Sequence, residues 1–99
     1  MAQIIWTEEA VESLKGIGSF IERDSQFYAA RTISRLIEST ERLTSFPQSG
    51  RIIPELQNKN FREVIVGNYR IMYQVKKNEV IIFTVLHSSR DAEKFFIDL

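Results

Sequence analysis

Apolar positions along this chain change period twice. Gln3 to Trp6 is a short β-branched and aromatic run that predicts a strand. Ala10, Leu14, Ile17 and Ile21 then recur at helical spacing and form one stripe. Thr7 precedes that stripe with a hydroxyl suited to capping free N–H groups, and Glu8 and Glu9 follow where the helix dipole favours anions. Gly16 and Gly18 lower helix propensity and leave room for a close neighbour. The helix is predicted to end near Glu22 or Arg23. Asp24 or Ser25 is placed to cap a second helix, whose stripe runs through Ala29 or Ala30, Ile33, Ile37 with Leu36 beside it, Thr40 and Leu43. Its wet side takes Arg31, Arg35, Glu38 and Arg42. So short a break predicts an antiparallel helical hairpin. Pro47, in Ser45-Phe46-Pro47-Gln48-Ser49-Gly50, stops the second helix.

Beyond Phe61 the period becomes that of a sheet. Phe61 to Val66 leads into Gly67-Asn68, a pair suited to a tight hairpin. Tyr69, Ile71, Tyr73 and Val75 alternate with Arg70, Met72, Gln74 and Lys76, which predicts one buried and one partly wet face. Lys77-Asn78 makes the next turn. Val80 to Leu86 is apolar on both faces, as expected of a central strand covered on both sides. The hairpin covers one face, and a helical tail over Asp91 to Leu99, with Ala92, Phe95, Phe96 and Leu99 as its stripe, is expected to cover part of the other. The predicted class is α+β, ordered β-α-α-β-β-β with a C-terminal helical tail, in a single domain over residues 1–99.

Composition narrows the chemistry. Thirteen basic and thirteen acidic side chains leave a formal charge of zero, far from the footprint of a protein that grips nucleic acid through many phosphates. There is no Cys and one His, so thiolate sites and disulfides are excluded and neither a metal nor another cofactor is implied. The N-terminal segment lacks the pattern of a signal peptide, and the longest apolar run is far short of a membrane span. A cytoplasmic location with no membrane partner is expected. Against this background the cations Arg70, His87 and Arg90, at or beside the ends of apolar strands, call for an explanation.

Six segments carry a resemblance: Ile4-Ile5-Trp6-Thr7-Glu8-Glu9-Ala10, Phe46-Pro47-Gln48-Ser49-Gly50-Arg51, Pro54-Glu55-Leu56, Arg62-Glu63-Val64, Tyr69-Arg70-Ile71-Met72-Tyr73 and His87-Ser88-Ser89-Arg90-Asp91. In order and spacing they resemble the RelE/ParE superfamily, the toxin halves of bacterial type II toxin–antitoxin pairs. The resemblance implies a helical hairpin packed on a small antiparallel sheet. It also implies a partner, a cognate antitoxin whose disordered segment folds over the toxin's grooves. Two activities occur in the superfamily. RelE-like members cut messenger RNA on the ribosome, and ParE-like members poison DNA gyrase by binding.

A nuclease needs a base for the ribose hydroxyl, cations for the phosphate and an acid for the leaving oxygen. By resemblance Arg70 and Arg90 are the cations and Glu55 the base; His87 supplies an acid, since imidazole titrates near neutrality. The strand on which RelE-like nucleases carry a lysine pair, however, reads Phe61-Arg62-Glu63-Val64, with Glu63 at the position of the functional lysine. The tail offers Phe95 and Phe96 where those nucleases have a tyrosine. The ParE-like pattern fits better: a gyrase-binding toxin with no catalytic set, using Arg62, Arg70, His87, Arg90, Phe95 and Phe96 as contacts to target or antitoxin. The alternatives are a ribosome-dependent endoribonuclease and a non-toxic antitoxin-binding subunit. Structural roles are also open to these residues. Arg70 can pair with Glu63 or Asp91, His87 with backbone, and Arg90-Asp91 can lock the tail. Glu55 can be a solvated loop carboxylate, Trp6 core packing, and the arginines of the second helix a solvated face or a strip for an acidic partner.

Overall fold

Local capping opens both helices. The Thr7 hydroxyl accepts from the Ala10 N–H at 3.1 Å and starts α1, Glu8–Glu22. Ser25 accepts from Tyr28 N–H at 3.1 Å and starts α2, Gln26–Glu38. The structure, a computed structural model, describes residues 1–89; the expectations for Arg90, Asp91, Phe95, Phe96 and the helical tail lie outside the described residues. α2 ends before Thr40 and Leu43, which the apolar stripe had included. The Ser39 and Thr40 hydroxyls donate to the carbonyls of Leu36 and Ile37, each at 2.7 Å, and compete with the helical ladder. The chain tightens into a 3-10 turn, Glu41–Thr44, yet Leu43 still reaches the core and is fully buried.

The strands are β1 (Gln3–Trp6), β2 (Arg51–Ile52), β3 (Phe61–Val66), β4 (Tyr69–Lys76) and β5 (Glu79–His87). They form one sheet in the order β1-β5-β4-β3-β2. Both predicted hairpin turns are present, with Gly67 at φ 56° and Asn78 at φ 60° supplying the positive dihedrals. The sheet is mixed, not antiparallel, because β1 runs parallel to β5, pairing Ile4 with Val80 and Trp6 with Ile82. Side-chain alternation is the same in either direction, so the pattern of β1 carried no information about its sense. β2 is an added strand, pairing Arg51 with Glu63 and Ile52 with Arg62. Two residues are too few to show a period.

The hairpin covers one face of the sheet over Leu14, Leu36, Leu43, Ile71, Tyr73 and Ile82, with Trp6 half-buried against the same cluster. The opposite face carries a second, smaller cluster of Ile53, Met72 and Leu86, flanked by Leu56, Phe61 and Phe83. Between β4 and β5 the register shifts, so that Phe83 is the extra residue between the Tyr73–Ile82 and Met72–Thr84 pairs. The bulge turns Phe83 toward Phe61, ring edge to face at 6.0 Å. Arg70 and Met72 are therefore buried, where alternation had predicted a partly wet row. No helix among the described residues is long and apolar enough to cross a membrane.

Candidate functional site

Arg70 sits in β4 on the face away from the helices, beside the second apolar cluster. Its side chain is 7% exposed. Cross-strand register brings Glu63 to it: Glu63 lies opposite Met72, so the carboxylate reaches Arg70 diagonally on the same face. The Arg70 Nε donates to Glu63 Oε1 at 2.7 Å. Its Nη1 and Nη2 donate to Glu55 Oε2 and Oε1 at 2.8 and 2.7 Å, a bidentate fork. The second Glu63 oxygen, Oε2, accepts from Arg51 Nε at 2.5 Å. Four side chains thus alternate in sign, Arg51–Glu63–Arg70–Glu55, and their formal charges cancel.

A short turn presents Glu55. Ile53 is fully buried in the second cluster, and its carbonyl accepts from the N–H groups of Leu56 and Gln57 at 3.1 and 3.0 Å. Gln57 closes the turn at φ 52°. Glu55 is therefore no solvated loop carboxylate: its side chain is 20% exposed and held against the sheet. Hydrogen bonding to Glu55 raises the Arg70 guanidinium above its already high range; burial opposes this, and Glu63 adds to it. Arg70 stays cationic at any accessible pH.

The other predicted site residues lie elsewhere. His87 faces Tyr69 across the strands, whereas Arg70 faces Leu86. Strict alternation places His87 on the helix side, opposite Arg70. Its ring meets Tyr69 edge-on at 5.8 Å, and its Nδ1 accepts from Ser89 N–H at 3.2 Å. Arg62 clamps a loop, with Nε on the Lys59 carbonyl and Nη1 on those of Gln48 and Gly50, at 2.9, 3.2 and 3.0 Å. Glu55 and Arg70 are brought together, while His87 and Arg62 stand apart from them. Sequence reasoning gave no site role to Arg51 or Tyr73. Tyr73 donates to the Pro47 carbonyl at 2.7 Å and accepts from the Gly50 N–H at 3.0 Å. Its alternation with Ile71 predicted burial, but nothing in the pattern indicated what its hydroxyl would hold. Among the described residues no cluster of His, Cys, Asp or Glu is suited to a metal ion.

On the helix side a groove of about 720 Å³ runs between α1 and β5. Gly16, Ile17 and Phe20 form one wall, and Tyr69, Thr84 and His87 line the other. Ser13 and Thr84 hydroxyls meet at 3.3 Å between them.

With this geometry established, known proteins offer a comparison. A family model described as the ParE toxin of type II toxin–antitoxin systems, parDE, matches residues 4–92. Putative toxin Y4kP of Sinorhizobium fredii is 34% identical over 88 residues, covering 87% of this chain and 88% of the relative. Toxin RelE2 of Caulobacter vibrioides is 34% identical over 91 residues, covering 91% and 99%. A chain from the chromosomal ParDE system of P. aeruginosa superposes with a TM-score of 0.74 at 18% identity, over 88% of this chain and 96% of that one. A chain of the RelB–RelE antitoxin–toxin complex from Methanococcus jannaschii gives 0.54 at 23% identity, over 95% of each. At such identities these two likenesses bear on fold alone. The family match and the two relatives in sequence go further: this chain belongs to the ParE toxin family, within the ParE/RelE superfamily of type II toxin–antitoxin toxins.

Proposed function

We propose that this toxin acts by binding DNA gyrase and does not cut RNA. The observation that carries the reading is the state of Arg70. The cation that would clamp a scissile phosphate is buried and forked onto Glu55, with Glu63 on its remaining edge. An incoming phosphate would meet two carboxylates and would have to displace them, against transition-state stabilisation that depends on preorganised positive charge. Glu55, the candidate base, is engaged in the same fork. His87, the candidate acid, is on the other side of the sheet. Binding to a protein target needs none of these groups in a catalytic posture.

A cognate antitoxin is the second partner in this reading, seated in the groove between α1 and β5. Both neighbouring structures come from toxin–antitoxin systems, and the groove mixes apolar and polar lining in the way a folding segment requires.

The test pairs two assays on one preparation. Purified toxin is added to gyrase with plasmid, and in parallel to translating ribosomes. Inhibited supercoiling or trapped cleaved DNA, with intact messenger, is the expected result. Messenger cleavage with unaffected gyrase would instead establish a RelE-like ribosome-dependent endoribonuclease, the reading that the name of the Caulobacter relative suggests. Inertness in both, with normal antitoxin binding, would leave an antitoxin-binding subunit. Arg70→Ala is a poor discriminator, because it removes one of the two cations beside buried Glu63 and the fork that holds Glu55, and so lowers activity of either kind through the fold.

A further inference from the structure

The outer face of α2 carries groups with no evident use within the fold. Phe27 and Tyr28 are 58% and 67% exposed, and their rings stack at 5.9 Å. The Arg31 guanidinium lies over the Phe27 ring at 5.7 Å. One turn further, Arg35 is exposed. Ala30 and Ser34 line a depression of about 330 Å³ beside these arginines, and Glu38 lines it too. None of the ion pairs among the described residues involves Arg31 or Arg35. Arg51, Arg62 and Arg70, by contrast, are each committed to carboxylates or carbonyls.

Exposed aromatic rings beside arginine are the composition of binding hot spots. Stacking on Phe27 holds Arg31 in place before any partner arrives, which lowers the ordering cost of association. Arg31 and Arg35 are four residues apart, so both side chains leave the same helical face, with Cβ atoms about 6 Å apart. That spacing matches two carboxylates one turn apart on a partner helix, with its aliphatic side chains over Phe27 and Tyr28. The small residues Ala30 and Ser34 beside the arginines let such a helix approach closely. Glu38 repels a third carboxylate at one end and so fixes the register. Two cations and one anion are too few for a phosphate backbone, whose grip rests on many contacts.

We infer that the outer face of α2 is the surface through which the toxin grips its target protein, by taking up an acidic helical segment of that target. The inference rests on the gyrase-binding reading above. No α2 residue lines the α1–β5 groove, so one partner at each site is geometrically allowed.

The experiment compares wild type with R31E/R35E, and with R31Q/R35Q as a milder pair should the reversal fail to fold. Three readouts are taken: gyrase supercoiling inhibition, calorimetric binding to the cognate antitoxin, and thermal melting. The expected result is a rise of about 10-fold or more in half-inhibitory concentration for the reversal, as befits loss of two complementary charges at an interface. Antitoxin affinity and melting temperature should stay near wild type. Wild-type inhibition should also weaken with added salt more than that of the variant. Unchanged gyrase inhibition in R31E/R35E overturns the inference and leaves the gyrase reading standing. Loss of antitoxin binding with gyrase inhibition retained overturns it by assigning the face to the antitoxin. Gel retardation of DNA by wild type alone, abolished in the variant, overturns it in favour of a nucleic-acid surface. A wild-type toxin inert toward gyrase removes both the reading and the inference.

Discussion

The two faces of the sheet are held by different physics. Under the helical hairpin, Leu14, Leu36, Leu43, Ile71 and Ile82 form a core without charges, stabilised in proportion to the area removed from water. On the other face, a small apolar cluster adjoins the chain Arg51–Glu63–Arg70–Glu55. Two members of that chain, Glu63 and Arg70, are almost wholly buried. An apolar core loses stability by increments as atoms are removed. A buried charge network fails as a unit, because each member is tolerable only beside its opposite. The helix face is thus a tolerant foundation and the other face a precise but fragile arrangement.

The sharpest way to break this contrast is Glu63→Ala. It leaves Arg70 with Glu55 and frees Arg51, and should cost about 3 kcal/mol in denaturant unfolding. Replacing the triad by apolar residues of similar volume (E55L/E63L/R70M) should recover most of that loss. If the triple variant were no more stable than Glu63→Ala, the network would be a source of net stability and the contrast between the faces would fall.

The next largest effect is expected at Gly50, where the 47–50 loop is pinned to the sheet. A Cβ there would stand 2.6 Å from both the Glu63 carbonyl oxygen and the Tyr73 hydroxyl. Gly50→Ala should therefore cost about 2 kcal/mol through overpacking. A melting temperature equal to wild type would show that the loop is not held as tightly as Tyr73 and Arg62 imply.

Tyr73 itself gives a pH signature. Burial raises its phenol above the ordinary value of 10.0, with the Gly50 N–H opposing. In the unfolded chain the phenol ionises near its ordinary value, while the folded protein retains the proton. Stability is therefore full below that pH and falls as pH rises from it through the folded value. Melting temperatures between pH 8 and 11 should decline less steeply for Tyr73→Phe than for wild type. Parallel curves would count against a buried, neutral phenol.

The smallest effect belongs to the helix face. A Cβ on Gly16 would meet nothing within 4 Å, so Gly16→Ala should stabilise α1 by about 0.5–1 kcal/mol. Because Gly16 lines the groove, antitoxin affinity measured on the same variant reports whether that wall is occupied. A gain in stability with weaker antitoxin binding supports the groove as the antitoxin's seat, and unchanged affinity counts against it.

Much of the fold was legible because it is local. Thr7 and Ser25 cap helices through N–H groups three residues away. Gly67-Asn68 and Lys77-Asn78 turn the chain within two residues, and the double-sided apolar run of β5 suits its place inside the sheet, between β1 and β4. Less of the candidate site was legible. Glu63 stood out as a carboxylate where a cation was anticipated, and Arg70 as a cation in an apolar strand. Their pairing was among the options open to Arg70. Glu55 read most simply as a solvent-facing loop residue, and Arg51 had no assigned role.

The chain by itself determined its α+β class, its helical hairpin, its three long C-terminal strands and its resemblance to one toxin superfamily. These depend on periodicity and capping, which act between residues a few positions apart. Only the tertiary structure decided that β1 runs parallel to β5, that Arg51–Ile52 is a strand, and that Arg70 and His87 face opposite ways. It also decided that Arg70 is bound by Glu55 and Glu63. Those outcomes depend on register and strand direction between distant segments, as in the Arg51–Glu63 and Arg70–Glu55 contacts, which close over 12 and 15 residues. A one-residue slip of register would turn each such side chain to the other face.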